Sequence, residues 1–277
     1  MSRVQPPKET VQPSMGESAL TYPIAPESIP DRVLQEGNYE VSFARDRSTL
    51  DEILRLRFEV FNVELSEGLD ESWQTGRDRD PFDDVCHHLL VRSLRDGKIV
   101  GTYRMQTSAM ANANLGFYSQ AEFDLRGLPD SVRGESVELG RACVAQEHRN
   151  KHVLFLLWKG LALYVAHNQL RYFFGCCSLT SQDPVEGRAV MAYLESAGLL
   201  VDGLRVEPQP GFACYPPELP ADPDFEVDIP RLFRTYLRHG AKICGPPAID
   251  REFKTIDYLV LFDIAEMSEK RLRMFFR

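Results

Sequence analysis

Glu138 and Arg141 stand in the run Glu135 to Val144 among the apolar residues Val137, Leu139, Ala142 and Val144. An ionised group buried there without a partner costs several kcal/mol, so the two either pair with neighbours or line a cleft. A few residues later, His148, Arg149, Asn150 and Lys151 precede an apolar series that includes Val153, Leu154, Leu156, Leu157 and Leu161. Backbone N–H donors and basic side chains thereby gather at a helix N-terminus, which attracts anions. A strand carrying two ionisable residues, a turn and an apolar helix make residues 135 to 159 the candidate spine of an active site.

The elements that must hold this spine follow from periodicity. Tyr39 to Phe43 alternates as a strand does, and Leu50, Ile53, Leu54, Phe58 and Phe61 fall at helical spacing after Ser48-Thr49. His88–Leu94 and Ile99–Met105 are strand-like runs joined by Arg95-Asp96-Gly97-Lys98, whose Asp-Gly step marks an antiparallel hairpin. Tyr172 to Leu179 is almost wholly apolar, as expected of a strand covered on both faces. Helices are expected over Pro184 to Ala197 and Ile229 to His239, with Gly198 and Gly240 as stops, and a last strand over Tyr258 to Phe262. The charge-dense connection from Ser66 to Asp84 is long enough to be a functional lid or a disordered segment. Paired strands followed by strands interleaved with helices predict an α+β, mixed α/β fold, a central sheet flanked by helices on both faces. Residues 1–36, with Pro6, Pro7, Pro13, Pro23, Pro26 and Pro30, read as an N-terminal tail; 37–265 form the domain, and 266–277 a basic and aromatic C-terminal tail.

Composition narrows the function classes. The 277-residue chain carries a formal net charge of -9, which argues against a general nucleic-acid binder. No apolar run approaches the roughly 20 residues of a membrane span and no secretory signal is evident, so a cytoplasmic location is expected. Cys86, Cys143, Cys176, Cys177, Cys214 and Cys244 lack zinc-ligand spacing and read as reduced core residues, and no metal is expected. His87 and His88 at a strand start read as surface or satisfied histidines, not as ligands.

Four spaced pairs then carry a resemblance: Arg57-x-x-x-Phe61, Asp80-x-x-Asp83, Gly101-x-x-Arg104 and Glu138-x-x-Arg141. Their order is similar to the framework of the acyl-homoserine-lactone synthases. The phrases RLRFEVFNVEL, FDDVCHHLLV, GTYRM, ELGRACV, LLWKGL, FGCCSL and YLRHGAKICGPPAIDREFKTIDYLVLF resemble the bacterial ornithine-lipid and haemolysin-like N-acyltransferases more closely. Both families are similar to the GNAT acyltransferase fold, and the resemblance covers Phe43 to Phe262.

It implies transfer of a long-chain fatty acyl group, plain or 3-hydroxylated, to an amino-acid amine, with ornithine the leading acceptor. An acyl-homoserine-lactone synthase and a non-catalytic, membrane-acting acyl binder are the alternatives. The attacking amine must lose a proton, and Glu138 is the expected base. Arg104 is expected to hold an acceptor carboxylate or an acidic neighbour. Arg141 stands with Glu138 on the amine side as a catalytic candidate, the alternative being that the two only pair to fix the strand; Asp80 and Asp83 offer charge to a cationic acceptor, and Arg57 and Phe61 wall the thioester. Backbone N–H groups near Ala142, Cys143 and Val144 are expected to receive the oxyanion.

One departure concerns the donor. GNAT acetyltransferases cradle the pyrophosphate of coenzyme A with an Arg/Gln-x-x-Gly-x-Gly/Ala loop, whereas Arg149 to Leu154 contains no glycine. No bound cofactor is expected. The phosphopantetheine thioester of acyl carrier protein is the expected co-substrate and partner, with acyl-CoA the alternative, and Arg149 and Lys151 are placed to meet its phosphate or the carrier's acidic groups. Lys270 to Arg277 mixes basic and aromatic residues as a peripheral membrane contact does.

Overall fold

A computed structural model describes residues 21–276. Among the described residues one nine-stranded sheet runs in the order β1 (Leu34–Glu36), β2 (Tyr39–Phe43), β3 (His87–Ser93), β4 (Ile99–Thr107), β5 (Ser136–Val144), β6 (Tyr172–Leu179), β9 (Thr255–Asp263), β7 (Lys242–Ile243), with β8 (Ala248–Asp250) also on β9. All neighbours are antiparallel except β5 and β6, which are parallel and are joined by the crossover helix α5 (Lys151–His167). The expected mixed sheet flanked by helices is therefore present.

Period-two alternation gives the strands two distinct faces. Leu89, Val91, Tyr103, Met105 and Val137 pack against Val153, Leu156, Leu157 and Leu161 of α5. On the same side, α6 (Pro184–Ser196) and α7 (Arg231–His239) cover β6 and β9 through Val190, Leu194 and Phe233. Gly160 lets α5 settle closely, since a Cβ there would lie 2.4 Å from Leu89 Cδ1. The opposite face is covered by α1 (Arg47–Phe58) through Leu50, Ile53 and Leu54 against Leu90 and Ile99. Further along this second face, α3 (Ser108–Ala113) and the loops around Phe117, Phe123 and Leu125 pack on Phe174, Leu259 and Leu261. The short helices α2 (Ser72–Thr75) and α4 (Asp130–Gly134) lie in the connections.

Three boundaries differ from the sequence-based expectation. Of the 1–36 tail, residues 1–20 lie outside the described residues, but the remainder is part of the folded body. Tyr22 and Ile29 are buried, and Leu34–Glu36 adds a strand to β2. The 66–84 connection is ordered, because its aspartates are bound by arginines from the strands and α1. Finally, α8 (Glu269–Phe276) packs Phe275 against Phe155 and Trp158 of α5, so the described part of the 266–277 tail is a helix of the domain.

The feature that creates room for chemistry is a parting of two strands. β5 pairs with β6 only at Ser136, Val137 and Glu138, and beyond them its inner edge has no partner in β6. Two local irregularities open it. Arg141 takes a left-handed backbone conformation (φ 46°) where the β4–β5 register shifts between Thr102 and Arg104. That is a β-bulge, and a non-glycine residue accepts it at a cost of about 1–3 kcal/mol. On β6, a Cβ at Gly175 would sit 2.1 Å from the Leu139 carbonyl oxygen.

Candidate active site

The gap between β5 and β6 opens into a cavity of about 780 Å³ lined from both faces of the sheet. On the α5 face the walls are apolar: Leu154, Phe155, Leu157, Trp158 and Leu161 from α5, Phe233 from α7, and Met274 and Phe276 from α8. On the opposite face they are polar and charged: Arg104, Gln106, Tyr118, Ser119, Glu138, Arg141, Asp250 and Asp257, with Glu67 beside them. A through-sheet cavity with one oily and one ionic end can hold an amphiphile.

Behind the ionic wall lies a charge network assembled from α1, the ordered 66–84 connection, β4 and β5. Arg57 Nε donates to Asp78 Oδ2 at 2.7 Å and its Nη1 to Asp83 Oδ1 at 2.6 Å. Arg104 Nη1 donates to Asp80 Oδ1 at 2.6 Å and lies 3.2 Å from Asp83 Oδ1, while Arg141 meets Asp80 at 3.1 Å and Asp78 at 3.3 Å. Three arginines thus balance three aspartates, of which Arg57, Arg104, Asp78 and Asp83 are buried and Asp80 and Arg141 partly so. Asp83 also caps its own turn at the Asp80 N–H and accepts from His88 Nε2. The Arg57 and Arg104 guanidinium groups hold its carboxyl well below the usual carboxylate range against the opposing effect of burial. Removing one member would strand a buried charge at a cost of about 3–5 kcal/mol. Tyr118 is stacked over both inner guanidinium groups, 5.1 Å from that of Arg104 and 4.9 Å from that of Arg141.

Several candidate residues therefore occupy positions other than those expected. Asp80 and Asp83 are spent on arginines and leave no free charge for a cationic acceptor. Arg57 is fully buried in the network and does not line the cavity, whereas Phe61 does, packed edge-on against Phe253 at 5.4 Å. Arg141 pairs with Asp78 and Asp80, not with Glu138. Glu138 is held by four donors: Gln106 Nε2 and the Tyr118 N–H on one oxygen, the Ser119 N–H and Oγ on the other. A carboxylate has about four lone-pair sites, so Glu138 has none left for a substrate proton. Its geometry is that of a clamp that fixes the Tyr118-Ser119 turn. Arg104 keeps one buried donor, Nη2, with no partner among the described residues.

Cys143 and Val144 line the cavity where β5 has no partner in β6. The cysteines are unbridged, and burial pushes the Cys143, Cys214 and Cys244 thiols up to about 12, which leaves them inert as nucleophiles. His87 and His88 are core residues: His87 lies between Tyr164 Oη and the Ile24 carbonyl, and His88 between Tyr22 Oη and Asp83. Burial lowers the His87 imidazole to about 4, so it is neutral near pH 7.

At the helix start, Asn150 Oδ1 accepts from the His152 and Val153 N–H groups at 2.9 and 3.0 Å. Arg149 is ion-paired with Glu64 and donates to the Val144 carbonyl. Lys151 is exposed at the cavity rim.

A family description, acetyltransferase (GNAT) domain, matches residues 56–159, the span from α1 through α5 that contains the bulged and parted strand. The chain is 30% identical over 250 residues to the L-ornithine N(alpha)-acyltransferase of Rhizobium meliloti (strain 1021), covering 86% of this chain and 84% of that protein. It is 32% identical over 247 residues to the enzyme of the same name from Brucella abortus (strain 2308), covering 84% and 87%. The chain belongs to the L-ornithine N(alpha)-acyltransferase family. It is a GNAT-fold acyltransferase, which removes the non-catalytic acyl-binding alternative. Among solved structures, the acyl-homoserine-lactone synthase LasI is similar at a TM-score of 0.47 and 14% identity, covering 87% of this chain and 96% of that one.

Three acids that could serve this acyltransferase lie outside the spaced motif pairs. Asp78 lies in the charge-dense connection, two residues before the motif aspartate. Glu122 and Asp257 come together from the loop after Ser119 and from β9, and only the presence of an acid inside the apolar run of β9 could have flagged the second.

Proposed function

We propose that this acyltransferase moves a long-chain fatty acyl group, plain or 3-hydroxylated, from the thioester of acyl carrier protein to the α-amine of ornithine. The product is an N-acyl amino acid of the lyso-ornithine-lipid type, an intermediate of membrane lipid synthesis. The cavity carries this reading. Its apolar end, between α5, α7 and α8, suits a fatty chain, and its ionic end suits a zwitterionic amino acid. The relatives' shared name supports ornithine as the acceptor.

Each step can be assigned to a group on the cavity wall. Arg104 Nη2, buried and unpartnered, receives the acceptor carboxylate. The thioester carbonyl lies in the gap beyond Glu138, where N–H groups of β5 released from β6 can donate to the oxyanion. Glu67 accepts the proton lost by the attacking amine, and collapse of the tetrahedral intermediate breaks the C–S bond and releases the carrier's phosphopantetheine thiolate, to which that proton can return. Burial raises the Glu67 carboxyl, Thr180 Oγ1 is its donor among the described residues, and a raised carboxylate is better matched to general-base work near neutral pH. Glu138 acts as a positioning residue, setting Tyr118 against Arg104 and Arg141.

The helix start supports a carrier-protein donor. Asn150 already occupies two of the N–H groups that a pyrophosphate would use, and Arg149 is bound to Glu64. Lys151, Arg231 and Arg238 at the cavity rim remain to meet a single phosphodiester and an acidic carrier. No described helix is long and apolar enough to cross a membrane. Peripheral contact at the inner face through the basic residues of α7 and α8 would bring the product to its next use, and co-sedimentation with anionic liposomes tests it.

The decisive experiment incubates the purified protein with C16 and 3-hydroxy-C16 thioesters of acyl carrier protein and of coenzyme A. A panel of amino acids serves as acceptors, and products are identified by mass spectrometry. N-acylornithine from the carrier thioester is expected, with Glu67→Gln lowering kcat about 10²–10⁴-fold. No N-acyl product with any acceptor defeats the reading.

A further inference from the structure

Asp257, on the ionic wall of the cavity, meets Glu122 from a distant segment, with Cys176 of β6 beside them; one ligand atom from each lies within 4.8 Å of the others. The two carboxyls are 3% and 4% exposed. Glu122 Oε2 and Asp257 Oδ1 have no donor among the described residues, and Asp257 lines the cavity wall. Thr255 Oγ1 donates to Asp257 Oδ2, which leaves the other oxygen of that carboxylate unused. Asp250, on the neighbouring strand β8, adds a third acid, but its Oδ1 is occupied by the Glu252 and Phe253 N–H groups.

Buried acceptors without donors are destabilising, more so when charged. Here burial first, and then repulsion from Asp257 and from Asp250, push the Glu122 carboxyl up to about 10. Burial raises the Asp257 carboxyl as well, so both groups gain from a positive charge brought beside them. A substrate ammonium has the donors and the charge that this pair lacks.

We propose that Glu122 and Asp257 form the subsite for a second, cationic amine on the acceptor side chain, opposite the carboxylate-binding Arg104. This rests on the acyltransferase reading above and deepens it. The pair selects a diamino acid over a neutral one of the same length. Arg104 at one end and the carboxyl pair at the other hold the amino acid by both termini, which fixes the α-amine between them at the parted strands. Metal binding is the competing use of the same three side chains, and the experiment separates it.

The test compares ornithine with norvaline, which has the same carbon skeleton without the side-chain amine, as acceptors for the wild-type enzyme and for Asp257→Asn and Glu122→Gln. The wild type is expected to prefer ornithine by about 10²-fold or more in kcat/KM. Asp257→Asn is expected to reduce that ratio at least tenfold, chiefly through a raised KM for ornithine. If wild-type enzyme acylates both acceptors equally, the subsite is wrong although the acyltransferase reading stands. If neither is acylated, and no other amine is, the acyltransferase reading itself fails. Loss of activity with both acceptors on chelation by EDTA, restored by added Zn²⁺ or Mg²⁺, would assign the cluster to a metal and overturn the proposal. Because the wild-type ratio needs no variant, a poorly folded Asp257→Asn protein does not obscure the result.

Discussion

Glu122 illustrates how an acceptor site can work against stability. Its carboxyl, held near 10 in the folded chain by burial and the neighbouring acids, returns to the ordinary range of about 4–5 on unfolding. Between those values the folded state keeps a proton that the unfolded state has lost, so stability falls as pH rises, at up to about 1.4 kcal/mol per pH unit. Glu122→Gln removes that slope. Urea unfolding should show the variant about 1–3 kcal/mol more stable than wild type at pH 8, with the difference shrinking toward pH 5. An unchanged pH slope would show that Glu122 does not hold the proton. The residues of this site were unequally legible. Arg57, Asp80, Asp83, Arg104 and Arg141 came from motif spacing, and all five enter the buried charge network. Their partnering did not follow, because which acid meets which arginine is set by the path of the 66–84 connection. Glu138 was singled out correctly as an acid placed in an apolar strand, but its four donors come from the Tyr118 turn and from Gln106 on the adjacent strand. No spacing along one strand can report them.

Gly175 shows what the strands must do to make the site. Its missing Cβ lets the Leu139 carbonyl approach at the point where β5 and β6 separate. Gly175→Ala forces a backbone shift there, because the obstacle is a carbonyl and not the end of a flexible side chain. A loss of about 1–3 kcal/mol in thermal or urea unfolding is expected, together with a lowered kcat, since the oxyanion donors of β5 move with the strand. A variant with wild-type kcat would show that the parting tolerates displacement. At this scale the sequence was most informative. Tyr39–Phe43, the β3–β4 hairpin, α5, β6, α6 and α7 all stand within a few residues of their periodicity. β1, β7 and β8 were not foreseen. At two or three residues each, they are too short to show an alternation and exist only through pairing with β2 or β9. The parting was likewise invisible, since it is a relation between two strands.

At the scale of the whole molecule, the cavity acts as a ruler. Leu154 is only partly buried and lines its apolar end, so a larger side chain there subtracts volume without overfilling the core. Leu154→Trp should shorten the preferred acyl chain by several carbons, read from the product distribution when mixed-length carrier thioesters compete. An unshifted distribution would place the chain elsewhere. The mixed sheet and its flanking helices were legible from the order of strands and helices, whereas the cavity's passage from one face to the other was not. A further consequence concerns traffic. On the reaction proposed above, the product is a single molecule with its charged head on one side of the sheet and its tail on the other. It must leave by drawing one end through the gap held open by Arg141 and Gly175, as a thread leaves a needle. Departure is then slower than bond formation, and rapid mixing of enzyme with both substrates should give a burst of about one product per active site before the steady rate.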